Sequence, residues 1–123
     1  MNAPTITLYG IPNCDTVKKA RAWLTAQNVP HAFHDFKKAG VSAAQIQAWL
    51  ADIPLDTLVN RKGTTWRGLS DQQKAQANDA AGAIRLMTEL PSLIKRPVLA
   101  IGGHFHCGFS DAGYQLLFTG AQP

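Results

Sequence analysis

The apolar positions of this chain switch between a period of two and a helical period, and the switches mark out its elements. Thr5 to Tyr9 is rich in β-branched and aromatic residues and predicts a buried first strand. Gly10-Ile11-Pro12-Asn13 carries turn chemistry and ends it. A helix is expected over roughly Cys14 to Gln27, with Val17, Ala20 and Leu24 on one face, Asn13 as N-cap and Asp15 in the first turn. Asn28 and Pro30 stop it. His31 to Phe36 alternates and predicts a second strand. A short helical crossover between two strands implies that they run parallel.

The middle of the chain reads as helical. Ser42-x-x-Gln45 is a capping box, followed by Ile46, Trp49, Leu50 and Ile53 on one face. Pro54 ends that helix, and Leu55 to Val59 is a candidate for one further turn. Arg61 to Gly68 is a polar, glycine-flanked loop. Ser70-x-x-Gln73 is a second capping box, and Asp79 caps a helix carrying Ala80, Ala83, Ile84 and Met87. Leu90-Pro91 ends it. The last third returns to strand chemistry: Pro97 to Ile101, a Gly102-Gly103 turn, then His104 to Phe109, which together predict a hairpin. Ser110-Asp111 caps a final helix with Tyr114, Leu117 and Phe118. Gly120 to Pro123 is expected to fray. The order β-α-β, helices, β-β-α is that of an α/β fold, with no internal repeat.

Composition narrows the function. A chain of 123 residues, 46% hydrophobic and 16% charged, suits one soluble domain that needs neither disulfide nor metal to fold. No apolar run approaches the roughly 20 residues of a membrane span. Met1 to Pro4 lacks the pattern of a signal peptide, so the cytoplasm is the expected compartment. The net charge of +4 comes from scattered basic pairs such as Lys18-Lys19 and Lys37-Lys38, with no long run. Nucleic acid is therefore not the expected partner; after a plainly solvated surface, a small anionic substrate fits next. The two cysteines, Cys14 and Cys107, form no Cys-x-x-Cys pair, which argues against structural zinc. His104 and His106 flank Cys107, but an ordinary strand explains them better than a metal site. No metal and no bound cofactor is expected.

Cys14 is the residue with the clearest chemistry. It sits where a strand turns into a helix, and there the first backbone N–H groups are unpaired. Those groups and the helix dipole favour a thiolate. Lys18, one turn on, adds positive charge unless it is simply solvated; Asp15 acts in the opposite sense. The residue three after Cys14 is Val17, so Cys14 must work as a single thiol. An oxidised intermediate on it then needs a resolving thiol from elsewhere, and glutathione is the abundant cytosolic choice. Cys107 is the internal alternative, though a strand position gives no sign of exposure. Arg96-Pro97 opens a strand. X-Pro bonds are where cis peptides occur, and Arg96 offers a planar fork to oxyanions unless it forms a surface ion pair.

Together, Tyr9 to Thr16, Asn60 to Arg67, Met87 to Pro97 and Cys107 to Asp111 resemble, in order and spacing, the arsenate reductase (ArsC)/Spx family, and in particular its YffB branch. The resemblance spans nearly the whole chain. It implies a thioredoxin-like core over about 4–38 and 95–120, a helical insertion over about 41–94, and a cis-proline at Pro97 beside the reactive cysteine. In the arsenate reductases of the family the cysteine attacks arsenate, arginines hold the oxyanion, and glutathione with glutaredoxin completes the reduction. Cys14, Arg61 and Arg96 match those functional positions. The position of a third arginine is Gly108 here, which weakens the case for arsenate.

Three functions fit these residues. The first is a glutathione-dependent thiol/disulfide oxidoreductase, acting on glutathione mixed disulfides or protein disulfides, with glutaredoxin as a possible partner. In it Cys14 carries the chemistry, Arg61 and Arg96 hold an anionic group, and Asn13, Asp15, Thr16, Lys18, Arg96 and Pro97 form the expected binding surface. The second is arsenate reduction. The third is a non-catalytic regulator that binds RNA polymerase, as Spx-like relatives do; those resemble a Cys-x-x-Cys switch, which Val17 removes.

Overall fold

The computed structural model describes residues 5–120. The elements run β1 (Ile6–Gly10), α1 (Asp15–Ala26), β2 (Ala32–Asp35), α2 (Phe36–Ala39), α3 (Ala43–Trp49), α4 (Leu55–Leu58), α5 (Thr64–Arg67), α6 (Asp71–Gln76) and α7 (Ala80–Glu89). A 3₁₀ turn (Pro91–Leu93), β3 (Val98–Ile101), β4 (His104–Cys107), α8 (Asp111–Gln115) and a π-helical turn (Leu116–Gly120) follow. The strands form one sheet in the order β2-β1-β3-β4. β1 and β2 are parallel, with Leu8 opposite Phe33. β1 and β3 are antiparallel, with Leu8 opposite Leu99. β3 and β4 form the expected hairpin, with Val98 opposite Cys107. This is a thioredoxin-like fold with its helical segment between the second and third strands.

Side-chain alternation along the strands gives the sheet two apolar faces. Ile6, Leu8 and Leu99 pack on one face with Ala20, Trp23 and Leu24 of α1 and Tyr114 of α8. Val98 faces the other way, into a larger core built from Phe36, Ile46, Trp49, Leu58, Leu86, Met87, Leu93 and Ile94. The helical segment thus covers the face that α1 leaves open. It is also stitched to the chain just before β3. Val59 bridges Ile94, the Asn60 N–H donates to the Leu93 carbonyl at 2.8 Å, and the Lys95 N–H donates to the Leu58 carbonyl at 2.8 Å.

Local chemistry explains most boundaries. Both capping boxes are present, at Ser42 with Gln45 and at Ser70 with Gln73. Asp79 and Ser110 cap α7 and α8 through the N–H groups of Gly82 and Gly113. Asn28, at φ 57°, turns the chain out of α1. Four expectations need correction. The cap of α1 is Cys14, because it carries the extended backbone and its carbonyl accepts the first helical bond, from Lys18 at 2.9 Å; Asn13 lies exposed in the preceding turn. β2 ends at Asp35, whose carboxylate accepts from the Lys37 N–H and starts α2 at Phe36. The polar loop 61–68 holds a helical turn, α5. β4 stops at Cys107, because Gly108 takes φ 81° and leaves the strand. Residues 121–123 of the expected frayed tail lie outside the described residues. No helix among the described residues is long and apolar enough to cross a membrane.

Trp49 is 1% exposed and packs edge-on to Tyr9 at 5.1 Å between ring centroids, linking the helical segment to the sheet. Trp49→Ala is expected to cost about 3–5 kcal/mol, read as a lower urea midpoint. A loss below about 1 kcal/mol would mean the two layers do not depend on this contact.

Candidate functional site

Gly10 ends β1 directly under α1. A Cβ there would lie 2.8 Å from a methyl of Val17, so only glycine lets the helix start this close to the strand. This brings Cys14 to the end of the sheet as the half-buried N-cap of α1. Its own N–H donates to the Ile11 carbonyl at 3.2 Å. The thiol makes no full capping hydrogen bond, as expected of a weak acceptor. A thiolate is a different acceptor. Partial burial pushes the Cys14 pKa up. The Val17 N–H, a hydrogen bond and positive charge from Arg96, and the Thr16 N–H outweigh burial and hold it below the ordinary thiol range.

Arg96 reaches this position from a distant part of the chain, just before β3. The Arg96–Pro97 bond is cis, as the resemblance implied. Its Nη1 donates to the carbonyls of Ser92 at 2.7 Å and Ile94 at 3.2 Å. Its Nε is buried and has no oxygen or nitrogen partner. The guanidinium is therefore anchored by one nitrogen to the backbone, and the group also hydrogen-bonds Cys14.

Cys14 and Arg96 line one open cleft of about 690 Å³, together with Lys95, His106, Cys107 and Tyr114. Burial raises the Cys107 pKa, and Lys95 acts in the opposite sense. The Tyr114 side chain is buried, its hydroxyl has no partner, and its pKa is pushed up by burial and by the neighbouring Cys107. Gly108 lines the same wall, and its N–H donates to the Pro97 carbonyl at 2.9 Å.

The expected site residues divide into three groups. Cys14, Thr16 and Arg96 line the cleft. Pro97 is buried at the start of β3, while Asn13, Asp15 and Lys18 are exposed and are not among the lining residues. Arg61 is not there either. Its Nη2 pairs with Asp56 at 3.4 Å, and its guanidinium carbon lies 5.0 Å from the Trp66 ring centre. Its neighbour Asn60 lines the cleft instead. Lys95, His106 and Tyr114 are not legible as site residues, and Cys107 is legible only as an alternative thiol: pairing with β3 brings β4 to the cleft, and packing brings α8. The one available hint was the run of motifs ending at Cys107 to Asp111. Among the described residues no three His, Cys, Asp or Glu side chains are grouped as a metal would require.

The opposite pKa directions order the two thiols. A lowered pKa means that Cys14 deprotonates at lower pH than an ordinary thiol, and a raised one means that Cys107 deprotonates later. Iodoacetamide labelling followed by peptide mass spectrometry should therefore modify Cys14 first as pH rises. Labelling of Cys107 first would contradict this electrostatic picture.

The ArsC family model matches residues 9–117. The chain is 47% identical to the solved structure of a YffB protein, over 89% of this chain and 96% of that one, with a TM-score of 0.85. It is 42% identical to an arsenate reductase (ArsC) related protein from Brucella melitensis, over 97% and 98% of the two chains, with a TM-score of 0.74. A more distant relative is the global transcriptional regulator Spx 1 of Lactococcus lactis, 27% identical over 86% of this chain and 83% of that protein. A match of this extent shows that the protein belongs to the ArsC family.

Proposed function

We propose that this protein is a glutathione-dependent thiol/disulfide oxidoreductase that works through Cys14 alone. The observation that carries the reading is the cleft joining Cys14 to Arg96, in a chain with Val17 where a second motif cysteine would stand. In the first step the Cys14 thiolate attacks the glutathione sulfur of a mixed disulfide. One S–S bond forms as another breaks, and the substrate thiolate leaves. Glutathione thiolate then attacks the Cys14 adduct, releasing oxidised glutathione and restoring Cys14. The net reaction turns the mixed disulfide and one glutathione thiolate into the substrate thiolate and oxidised glutathione.

Three features favour a peptide thiol over arsenate. A cleft of about 690 Å³ falls within the roughly 300–1,000 Å³ typical of drug-sized ligands and exceeds what a single oxyanion needs. Arg61 stands outside it, so Arg96 and Lys95 are its lining cations. Gly108 occupies the position of the third arginine with φ 81°, a conformation that side chains other than glycine adopt at a cost, and a Cβ there would lie 3.3 Å from the Lys95 side chain. In this reading Arg96 and Lys95 hold carboxylates of the thiol peptide, the backbone beside Pro97 pairs with its amide groups, and glutaredoxin or a protein mixed disulfide is the exchange partner. A glutathione-dependent thiol suits a reducing compartment, and the cytoplasm is the compartment proposed with this reading. The regulator named Spx lends less support, since the resemblance ties that role to a cysteine pair that Val17 removes.

Oxidised glutathione mixed with the purified protein should give a reversible adduct on Cys14, seen by intact and peptide mass spectrometry. Arg96→Lys, which loses the planar fork, should slow adduct formation roughly three- to tenfold. An adduct confined to Cys107, or none, would sink the proposal.

A further inference from the structure

The Lys62-Gly63-Thr64-Thr65-Trp66-Arg67 motif has no part in the chemistry above, and none of its side chains lines the cleft. It forms α5 and packs against the 3₁₀ turn that precedes Arg96. The contact is specific. The Thr65 hydroxyl lies 2.8 Å from the Ser92 hydroxyl, an ideal O–H···O distance, at a half-buried place. The carbonyl of that same Ser92 accepts the 2.7 Å hydrogen bond from Arg96 Nη1. The turn is thus held twice. The bridge near Val59 holds the backbone of Leu93 and Lys95, and Thr65 holds Ser92.

We infer that Thr65 is a positioning residue: through Ser92 it holds the Arg96 guanidinium against Cys14. The inference rests on the thiolate reading of Cys14 proposed above. A hydroxyl at residue 65 orients Ser92, the Ser92 carbonyl fixes one nitrogen of Arg96, and the guanidinium is thereby held where it hydrogen-bonds Cys14. Without that brace the guanidinium samples more positions, and its time-averaged field at Cys14 falls. The motif then serves the site from outside it, as a support for the residue that tunes the nucleophile.

The test is the pH profile of Cys14 alkylation in Thr65→Val, Thr65→Ser and Ser92→Ala proteins, each checked for native circular dichroism. Lys95, Arg96, His106, Cys107 and Tyr114 share the cleft with Cys14, and Asp15 and Lys18 flank it on α1. All seven remain in these three single variants, so a shift reports the placement of Arg96. Thr65→Val and Ser92→Ala should each raise the midpoint by a few tenths to about one unit and slow labelling at pH below the midpoint roughly two- to tenfold. Thr65→Ser, which keeps the hydroxyl, should stay near the parent value. In an Arg96→Gln background Thr65→Val should add nothing. A folded Thr65→Val protein with the parent midpoint, or an equal shift added on top of Arg96→Gln, overturns the brace while leaving the reading of Cys14 intact. An ordinary thiol midpoint in the parent protein overturns both. If Thr65→Val fails to fold, Ser92→Ala against Thr65→Ser decides the question alone.

Discussion

The site depends on the placement of one guanidinium beside one sulfur. Cys14 stands at the N-cap of α1, where a serine or aspartate would ordinarily accept from the helix N–H groups. A neutral thiol does this poorly and a thiolate does it well, so the cap position itself rewards deprotonation. Arg96 adds its charge from a different part of the chain. Burial alone would push the thiol upward, and the helix N–H groups together with Arg96 reverse that sign.

The rest of the architecture brings these two residues together. Gly10 lets α1 begin close to β1, which places Cys14. The antiparallel pairing of β1 with β3 places the start of β3, and with it Arg96, at the same end of the sheet. The helical segment contributes a scaffold rather than reactive groups. Its bridge from Val59 to Ile94 and its Thr65–Ser92 contact hold the turn from which Arg96 projects. Stability and chemistry are linked there, since Leu93 and Ile94, fully buried in the larger core, belong to the segment that carries Ser92 and Arg96.

Much of this was legible in the sequence. The β-branched and aromatic run at Thr5 to Tyr9, the helical spacing of Val17, Ala20 and Leu24, and the paired capping boxes specify elements through local chemistry, and those elements are present. Cys14 was legible for the same reason. The failures are equally physical. Phe36 continues an alternating pattern, but Asp35 caps a turn there and the chain goes helical. Asn13 has good capping chemistry, yet the backbone gives that place to Cys14. Arg61 matched a functional position by motif, but Asp56 and Trp66 lie within reach and engage its guanidinium. Cys107 joins the site through strand pairing and Tyr114 through helix packing, both long-range, to which the spacing of residues along the chain is blind.

The coupling of Arg96 to Cys14 is best measured by the ultraviolet absorbance of the thiolate, titrated in Cys107→Ser protein with and without Arg96→Gln. With a single cysteine the signal belongs to Cys14. The expected result is a midpoint below the ordinary thiol range that climbs when Arg96 is replaced. A midpoint that ignores the loss of Arg96 would contradict the electrostatic origin assigned to this site.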